Sequence, residues 1–184
     1  MIGGEAGFGI MTTGLSFAKI ASRLGFYTFD YVEYPSLIRG GHNAYEVHVA
    51  ENEINHLAPV IDVLTCLNKE TYLKHSHRLN KNSYVIYDED EFKIEGDYQK
   101  IILPFKQIMA KFKGQAVMRN TIAIGASLAV TGTPIQELLK IIEEQFSRKG
   151  EEVVNFNKQF ANAGYEHVKN NYSNLTDYMS GVKS

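Results

Sequence analysis

Hydrophobic positions along the chain switch between two periods, and that switching lays out an order of helices and strands. From Ile10 to Leu24, Met11, Leu15, Ala18 and Ser22 line one stripe at three- and four-residue spacing, and Phe17, Ile20 and Leu24 line a second. This predicts a helix buried on two sides. Gly25 supplies a left-handed end to it, and Phe26 to Tyr34, rich in aromatic and β-branched residues, reads as a strand. Ala44 to Ala50 alternates strictly, with Tyr45, Val47 and Val49 inward and Glu46 and His48 outward. Val60 to Leu67 reads as a buried strand, and Asn68 as the cap of a helix carrying Glu70, Leu73 and Leu79. Two further strands are predicted at Ser83 to Tyr87 and at Ile101 to Phe105, the latter stopped by Pro104.

The second half is predicted to be helical. Amphipathic turns around Ile108, Met109 and Phe112 precede Gln115 to Val130, where Ala123, Gly125, Ala126 and Ala129 suit close packing against a sheet or another subunit. Thr133-Pro-Ile-Gln136 has the form of a capping box with proline at the first helical position, and Ile135, Leu138, Leu139, Ile142 and Phe146 continue at helical spacing. Ser147-Arg-Lys-Gly150 closes that helix, and a last one is predicted from about Glu151 to Asn170. Tyr172 to Ser184 has the polar look of a tail or linker. The expected organisation is one α/β domain over residues 1–171 and a tail or linker over 172–184.

Composition narrows the class of protein. A chain of 184 residues can bury about 70% of its unfolded surface in one core, and 44% hydrophobic with 22% charged residues is an ordinary globular balance. A net charge of −2 argues against a nucleic-acid partner. No apolar run approaches the ~20 residues of a membrane span, and the start lacks a signal peptide's regions, so the cytoplasm is the expected compartment. The single cysteine, Cys66, sits in an apolar run and cannot by itself hold an iron–sulfur cluster, which takes four. Any redox metal is therefore expected in another polypeptide.

Two loops carry the candidate chemistry. In Met1-Ile-Gly-Gly-Glu-Ala-Gly-Phe-Gly9, four glycines fall within seven positions just ahead of the first helix. Such a run predicts a tight turn whose free N–H groups would suit an anion, most often a phosphate. It lacks the lysine of a Walker A loop, and Thr12 stands where the third glycine of a Rossmann fingerprint belongs. Three readings stay open: a dinucleotide site with Asp30 as its ribose acid, a purely structural turn, and a contact with another phosphorylated cofactor or a partner. Only Met1 and Ile2 precede Gly3, so the strand before this turn is either very short or begins upstream. The second loop, Pro35-Ser-Leu-Ile-Arg-Gly-Gly-His-Asn43, holds Arg39 beside paired glycines, as a fork-shaped donor for phosphate or carboxylate. His75 and His77, two apart, point to different sides of their helix and give no metal site between them. Asp88-Glu-Asp-Glu91 reads as a solvated acidic turn.

Taken together, Ile2-Gly-Gly-Glu-Ala-Gly-Phe-Gly9, Tyr34-Pro-Ser-Leu-Ile-Arg-Gly-Gly41, the alternating strand to Ala50, Met118-Arg-Asn-Thr-Ile-Ala-Ile-Gly125 and the helix from Asn155 to Tyr165 resemble the γ-type domain of 2-oxoacid:ferredoxin oxidoreductases. The glycine variant is closest in look to the N-terminus of the α subunit in 2-oxoglutarate-type enzymes. The resemblance implies a three-layer α/β fold, a central sheet with helices on both faces. It also implies a component of an enzyme that decarboxylates 2-oxoglutarate, pyruvate or a related 2-oxoacid to an acyl-CoA and reduces ferredoxin. Thiamine diphosphate and the iron–sulfur clusters would lie in partner α and β subunits or domains, with coenzyme A shared. By the same resemblance, Gly3, Gly4, Gly7 and Gly9 would form the glycine turn, and Ser36, Arg39, Gly40 and Gly41 the loop facing the reaction centre. The alternatives are a pure assembly module of that complex and a stand-alone dinucleotide-binding oxidoreductase.

Overall fold

The structure, a computed structural model, describes residues 1–34 and 41–179. Its centre is a six-stranded mixed sheet of β1 (Ile2–Glu5), β2 (Tyr27–Glu33), β3 (His42–Ala50), β4 (Val63–Cys66), β5 (Tyr84–Tyr87) and β6 (Gln99–Ile102), in the order β2-β3-β1-β4-β5-β6. Strands β1, β4, β5 and β6 run parallel, while β3 pairs antiparallel with both β1 and β2. The helices are α1 (Ile10–Arg23), α2 (Lys69–His75), α3 (Phe105–Lys111), α4 (Arg119–Val130), α5 (Ile135–Phe146) and α6 (Glu151–Asn171). The expected α/β class, with helices on both faces of a central sheet, holds.

The two faces are covered unequally. Ile2, Tyr45, Tyr84, Ile86 and Ile101 point to the side where α1 and α4–α6 lie, and join Ile122, Ala126 and Phe160 in the main core. The opposite face buries Leu64, Cys66, Val85 and Tyr87 beneath Tyr72 of α2, Leu79 and the segment carrying Phe92 and Ile94. Burial pushes the Cys66 thiol well above its usual pKa, so it is an inert core residue.

The first half of the sequence pattern is realised closely. Helix α1 ends at Arg23 with Gly25 at φ 92°, and the Asn68 side chain accepts from Thr71 N at the head of α2. Helices α4 and α6 approach through glycines: a Cβ on Gly125 would lie 2.1 Å from the Ala161 carbonyl oxygen, and one on Gly164 would lie 2.0 Å from that of Ile122. Gly125 of α4 thus faces another helix of the same chain, while Ala123, Ala126 and Ala129 join the main core with the sheet.

Several expectations need correction. Helix α1 is not buried on two sides, since Leu15 is 46% exposed and Ser22 is exposed; the strand read at Ile101 to Phe105 is β6 at Gln99–Ile102, with Phe105 opening α3; and α2 ends at His75, short of Leu79. Gly3 and Gly4 belong to β1 itself and not to the turn, because the strand takes in the first pair of glycines. Glu46, expected outward, is buried, since the face opposite α1 is roofed there by Arg78, whose guanidinium donates to both carboxylate oxygens at 2.7 and 2.6 Å. The capping box is not formed: Thr133 is buried with its hydroxyl paired to that of Thr131 at 3.0 Å, leaving α5 without a side-chain cap. The acidic turn is only partly solvated. Asp88 is buried and accepts from Asp90 N and Phe105 N, at 3.1 Å each. Residues after α6 run back over the sheet: Tyr178 N and Met179 N donate to the Thr131 carbonyl, and Met179 is buried.

Candidate functional site

The chain leaving β1 passes to α1 on one face, and the chain leaving β4 passes to α2 on the other. Adjacent parallel strands whose connections diverge leave a crevice beyond their carboxyl ends. The glycine segment lies at this rim. Gly3 and Gly4 allow the close approach of both helical layers. A Cβ on Gly3 would come within 2.6 Å of Thr71 Cγ2 and 2.9 Å of His42 Cε1, whereas one on Gly4 would meet Leu67, Ile10 and Phe8 at 3.0–3.2 Å.

The turn proper is Ala6 to Gly9. Phe8 N donates to the Glu5 carbonyl at 3.1 Å, and Gly7 and Gly9 take φ of 98° and 71°. Only residues tolerant of positive φ can make this turn without strain. Gly9 heads α1 with no side-chain cap and no acidic residue in the first turn, so the helix offers its leading N–H groups and positive end outward. Beyond Gly7 and its two chain neighbours, no atom of the described residues lies within 4 Å of where a Gly7 Cβ would stand. An uncapped helix start of this kind is a general receptor type for anionic groups such as phosphate.

The second loop reaches the same rim. Ala6 N donates to the Gly41 carbonyl at 3.1 Å, β1 and β3 pair Glu5 with His42, and Gly41 takes φ 88°. Gly7, Gly9 and Gly41 therefore share one edge of the molecule. Ser36, Arg39 and Gly40 lie outside the described residues.

Two residues of the site escaped sequence reasoning. Asn120 covers Gly9, its Nδ2 2.3 Å from a Cβ built there, so Gly9 is required by contact as well as by conformation. Arg119, buried, donates through both terminal nitrogens to Glu91 at 2.7 and 2.6 Å and to the Leu67 carbonyl at 3.2 Å, with its guanidinium 4.7 Å from the Phe105 ring centroid. It ties the head of α4 to the end of β4 beneath the turn. The signal was an arginine opening a small-residue helix within the Met118-Arg-Asn-Thr run. Asp30, weighed as a ribose acid, instead accepts from the Tyr45 hydroxyl at 2.5 Å on the edge strand, two strands from β1. In a dinucleotide fold that acid would end a parallel strand beside the glycine turn.

Fold and rim together define an α/β domain that presents paired glycine loops at one sheet edge. The pyruvate ferredoxin/flavodoxin oxidoreductase family matches residues 1–167. The chain belongs to that family. Over 154 residues it is 27% identical to 2-oxoglutarate synthase subunit KorC of Archaeoglobus fulgidus, covering 83% of this chain and 80% of that one. It is 26% identical over 176 residues to ketoisovalerate oxidoreductase subunit VorA of Methanothermobacter thermautotrophicus, covering 92% of this chain and 36% of the relative. Against 2-oxoacid:ferredoxin oxidoreductase 2, subunit alpha, of Aeropyrum pernix, the match spans only 24% of the relative's length.

Solved structures agree on the fold. The 2-oxoglutarate:ferredoxin oxidoreductase of Magnetococcus marinus, with 2-oxoglutarate, coenzyme A and succinyl-CoA bound, superposes with a TM-score of 0.87 at 23% identity, over 98% of this chain and 32% of that one. The γ subunit of the keto/oxoacid ferredoxin oxidoreductase of Geobacter sulfurreducens gives 0.74 at 24% identity, over 92% and 96% of the two chains. The resemblance to a γ-type domain is thus borne out. Among the described residues, no helix is long and apolar enough to cross a membrane.

Proposed function

We infer that the chain serves as the γ-type component of a 2-oxoacid:ferredoxin oxidoreductase, lending subunit packing and coenzyme A contacts to oxidative decarboxylation of 2-oxoglutarate, pyruvate or a related 2-oxoacid. The observation that carries this reading is the hydrogen bond from Ala6 N to the Gly41 carbonyl, which joins the two glycine loops at the uncapped head of α1. Coenzyme A brings a pyrophosphate and a ribose phosphate. Such groups are received by helix N-termini and by guanidinium forks. Gly7 and Gly9 would present N–H groups to one phosphate, while Arg39, with Ser36, Gly40 and Gly41, would present a fork to another. Gly3 and Gly4 act one step back, by letting both helical layers close on β1.

In the assembled enzyme, thiamine diphosphate supplies the carbanion chemistry of decarboxylation, and iron–sulfur clusters pass electrons to ferredoxin. Both are assigned to partner chains, in keeping with one buried cysteine here. This chain's own work is to bind, orient and exclude water at the shared edge, and alone it is catalytically silent. The test is Arg39→Ala in a complex reconstituted with thiamine- and cluster-carrying companions. A KM for coenzyme A raised at least about tenfold, with kcat little changed, supports uniform binding of that cofactor. Unchanged kinetics with intact assembly would leave only the assembly-module reading.

A further inference from the structure

A second constellation lies on the α2 face of the sheet, adjoining the glycine rim through His42, which follows Gly41 and packs against Gly3. Glu33 is the last residue of β2, His42 the first of β3 and His75 the last of α2. His42 Nε2 and His75 Nε2 stand 2.9 Å apart, Glu33 Oε2 lies 3.8 Å from His75 Nε2, and one donor atom from each of the three falls within 4.8 Å of the others. We propose that Glu33, His42 and His75 bind one divalent transition-metal ion of the zinc class, with a fourth coordination position left for water or a further ligand.

The donor set fits that class. Two imidazoles and a carboxylate match zinc, with bonds of about 2.0–2.2 Å and neighbouring donors roughly 3–3.5 Å apart. The two separations to His75 Nε2, 2.9 and 3.8 Å, lie close to that range, and all three donors fall within 4.8 Å of one another, so shifts of roughly 1–1.5 Å at most would close the shell. Nitrogen donors disfavour calcium and magnesium, which take oxygen shells. A hydrogen bond between the rings uses the lone pair of one Nε2 only, whereas a metal takes both. His42 Nδ1 is buried and has no partner among the described residues.

Protonation and access fit as well. Both histidines are buried, and burial depresses both pKa values, His75 to about 4 against the opposing pull of Glu33. They are therefore neutral ligands at pH 7. The charges facing them are carboxylates of Glu33, Glu46 and Glu70 and the cations of Lys74 and Arg78. Arg78 is engaged bidentately by Glu46, and Lys74 lies 3.7 Å from Glu70. The carboxylates outnumber the cations, which favours an incoming cation. The Glu33 side chain is 39% exposed and, with His75, borders a cleft of about 340 Å³ that gives an entry path. Reading His75 against His77 missed this because its partner lies 33 residues earlier, across the sheet.

A bound ion would fasten both ends of the β2–β3 connection to α2. The experiment uses the full chain, stripped with chelator and titrated calorimetrically with zinc, then with cobalt followed by its visible absorption. One equivalent should bind and raise the melting temperature. Loss of a direct ligand in His42→Gln, His75→Gln or Glu33→Gln should weaken binding by at least the about 10- to 100-fold that outer-shell partners cost. His77→Gln should bind as the parent does. Imidazole ¹H–¹⁵N spectra of the unmutated chain supply a readout that needs no variant: zinc should move the resonances of His42 and His75 and leave those of His77 and His167. No saturable binding, binding that survives both His42→Gln and His75→Gln, or shifts confined to other histidines would overturn the site.

Discussion

The two faces of the sheet are built on different physics. On the α1, α4–α6 face, apolar side chains and backbone-close glycines dominate, as at Gly125 against Ala161, and the buried hydroxyls pair locally, as Thr65 does with Ser127 at 2.9 Å. On the α2 face beside β2 and β3, the buried groups are Glu46, His42 and His75, Arg78 is half-buried over Glu46, and the tyrosines Tyr27 and Tyr31 remain 52% exposed. The first face is a finished core. The second carries polar groups whose burial is costly unless paired, and apolar surface left uncovered.

The sharpest way to break this contrast is at the helix contact. Gly125→Val would drive a side chain into the Ala161 carbonyl, where backbone lies on both sides, and should cost at least about 3 kcal/mol in urea unfolding. On the other face, Glu46→Ala would strand the Arg78 guanidinium, which is 22% exposed and so partly rescued by water; about 2 kcal/mol is expected. The Glu46→Leu, Arg78→Met double variant should recover much of that loss. No second substitution should repair Gly125→Val so simply.

Acid separates the faces next. Unfolded, the imidazoles of His42 and His75 take protons near 6.5, whereas folded His75 resists until about 4. Between those values the unfolded chain holds more protons, so this contribution is complete above pH 6.5 and is lost as pH falls toward 4. Urea midpoints from pH 7 to 5 should decline, and His75→Gln should flatten that decline. The smallest effect is expected at Tyr31→Ala, within about 0.5 kcal/mol of the parent, because the ring is half in water. A loss of assembly with partner subunits in that variant would then report recognition and not folding.

The same division explains what could be read in advance. Helices α1, α2 and α6 and strands β2, β3 and β5 follow from periodicity and caps, since burial on one side writes a repeating pattern into the chain. Glu46 was misplaced because alternation says which face a residue takes but not what covers that face; Arg78 arrives from 32 positions away. Thr133 looked like a cap because local spacing cannot show that Thr131 competes for its hydroxyl. Of the rim, Gly7, Gly9 and Gly41 were legible as glycines needing positive φ. Asn120 and Arg119 were not singled out, because their roles arise from contacts with Gly9, Glu91 and Leu67 made only on folding.

The central claim is that the joined glycine loops face a catalytic centre completed by other chains. Hydrogen exchange of backbone amides, compared between the free chain and the reconstituted complex, reads this directly. The account predicts strong new protection at Gly7, Phe8, Gly9 and Gly41 on assembly, deepened by coenzyme A. Exchange at those amides that stays as fast in the complex as in the free chain, with and without coenzyme A, would contradict it.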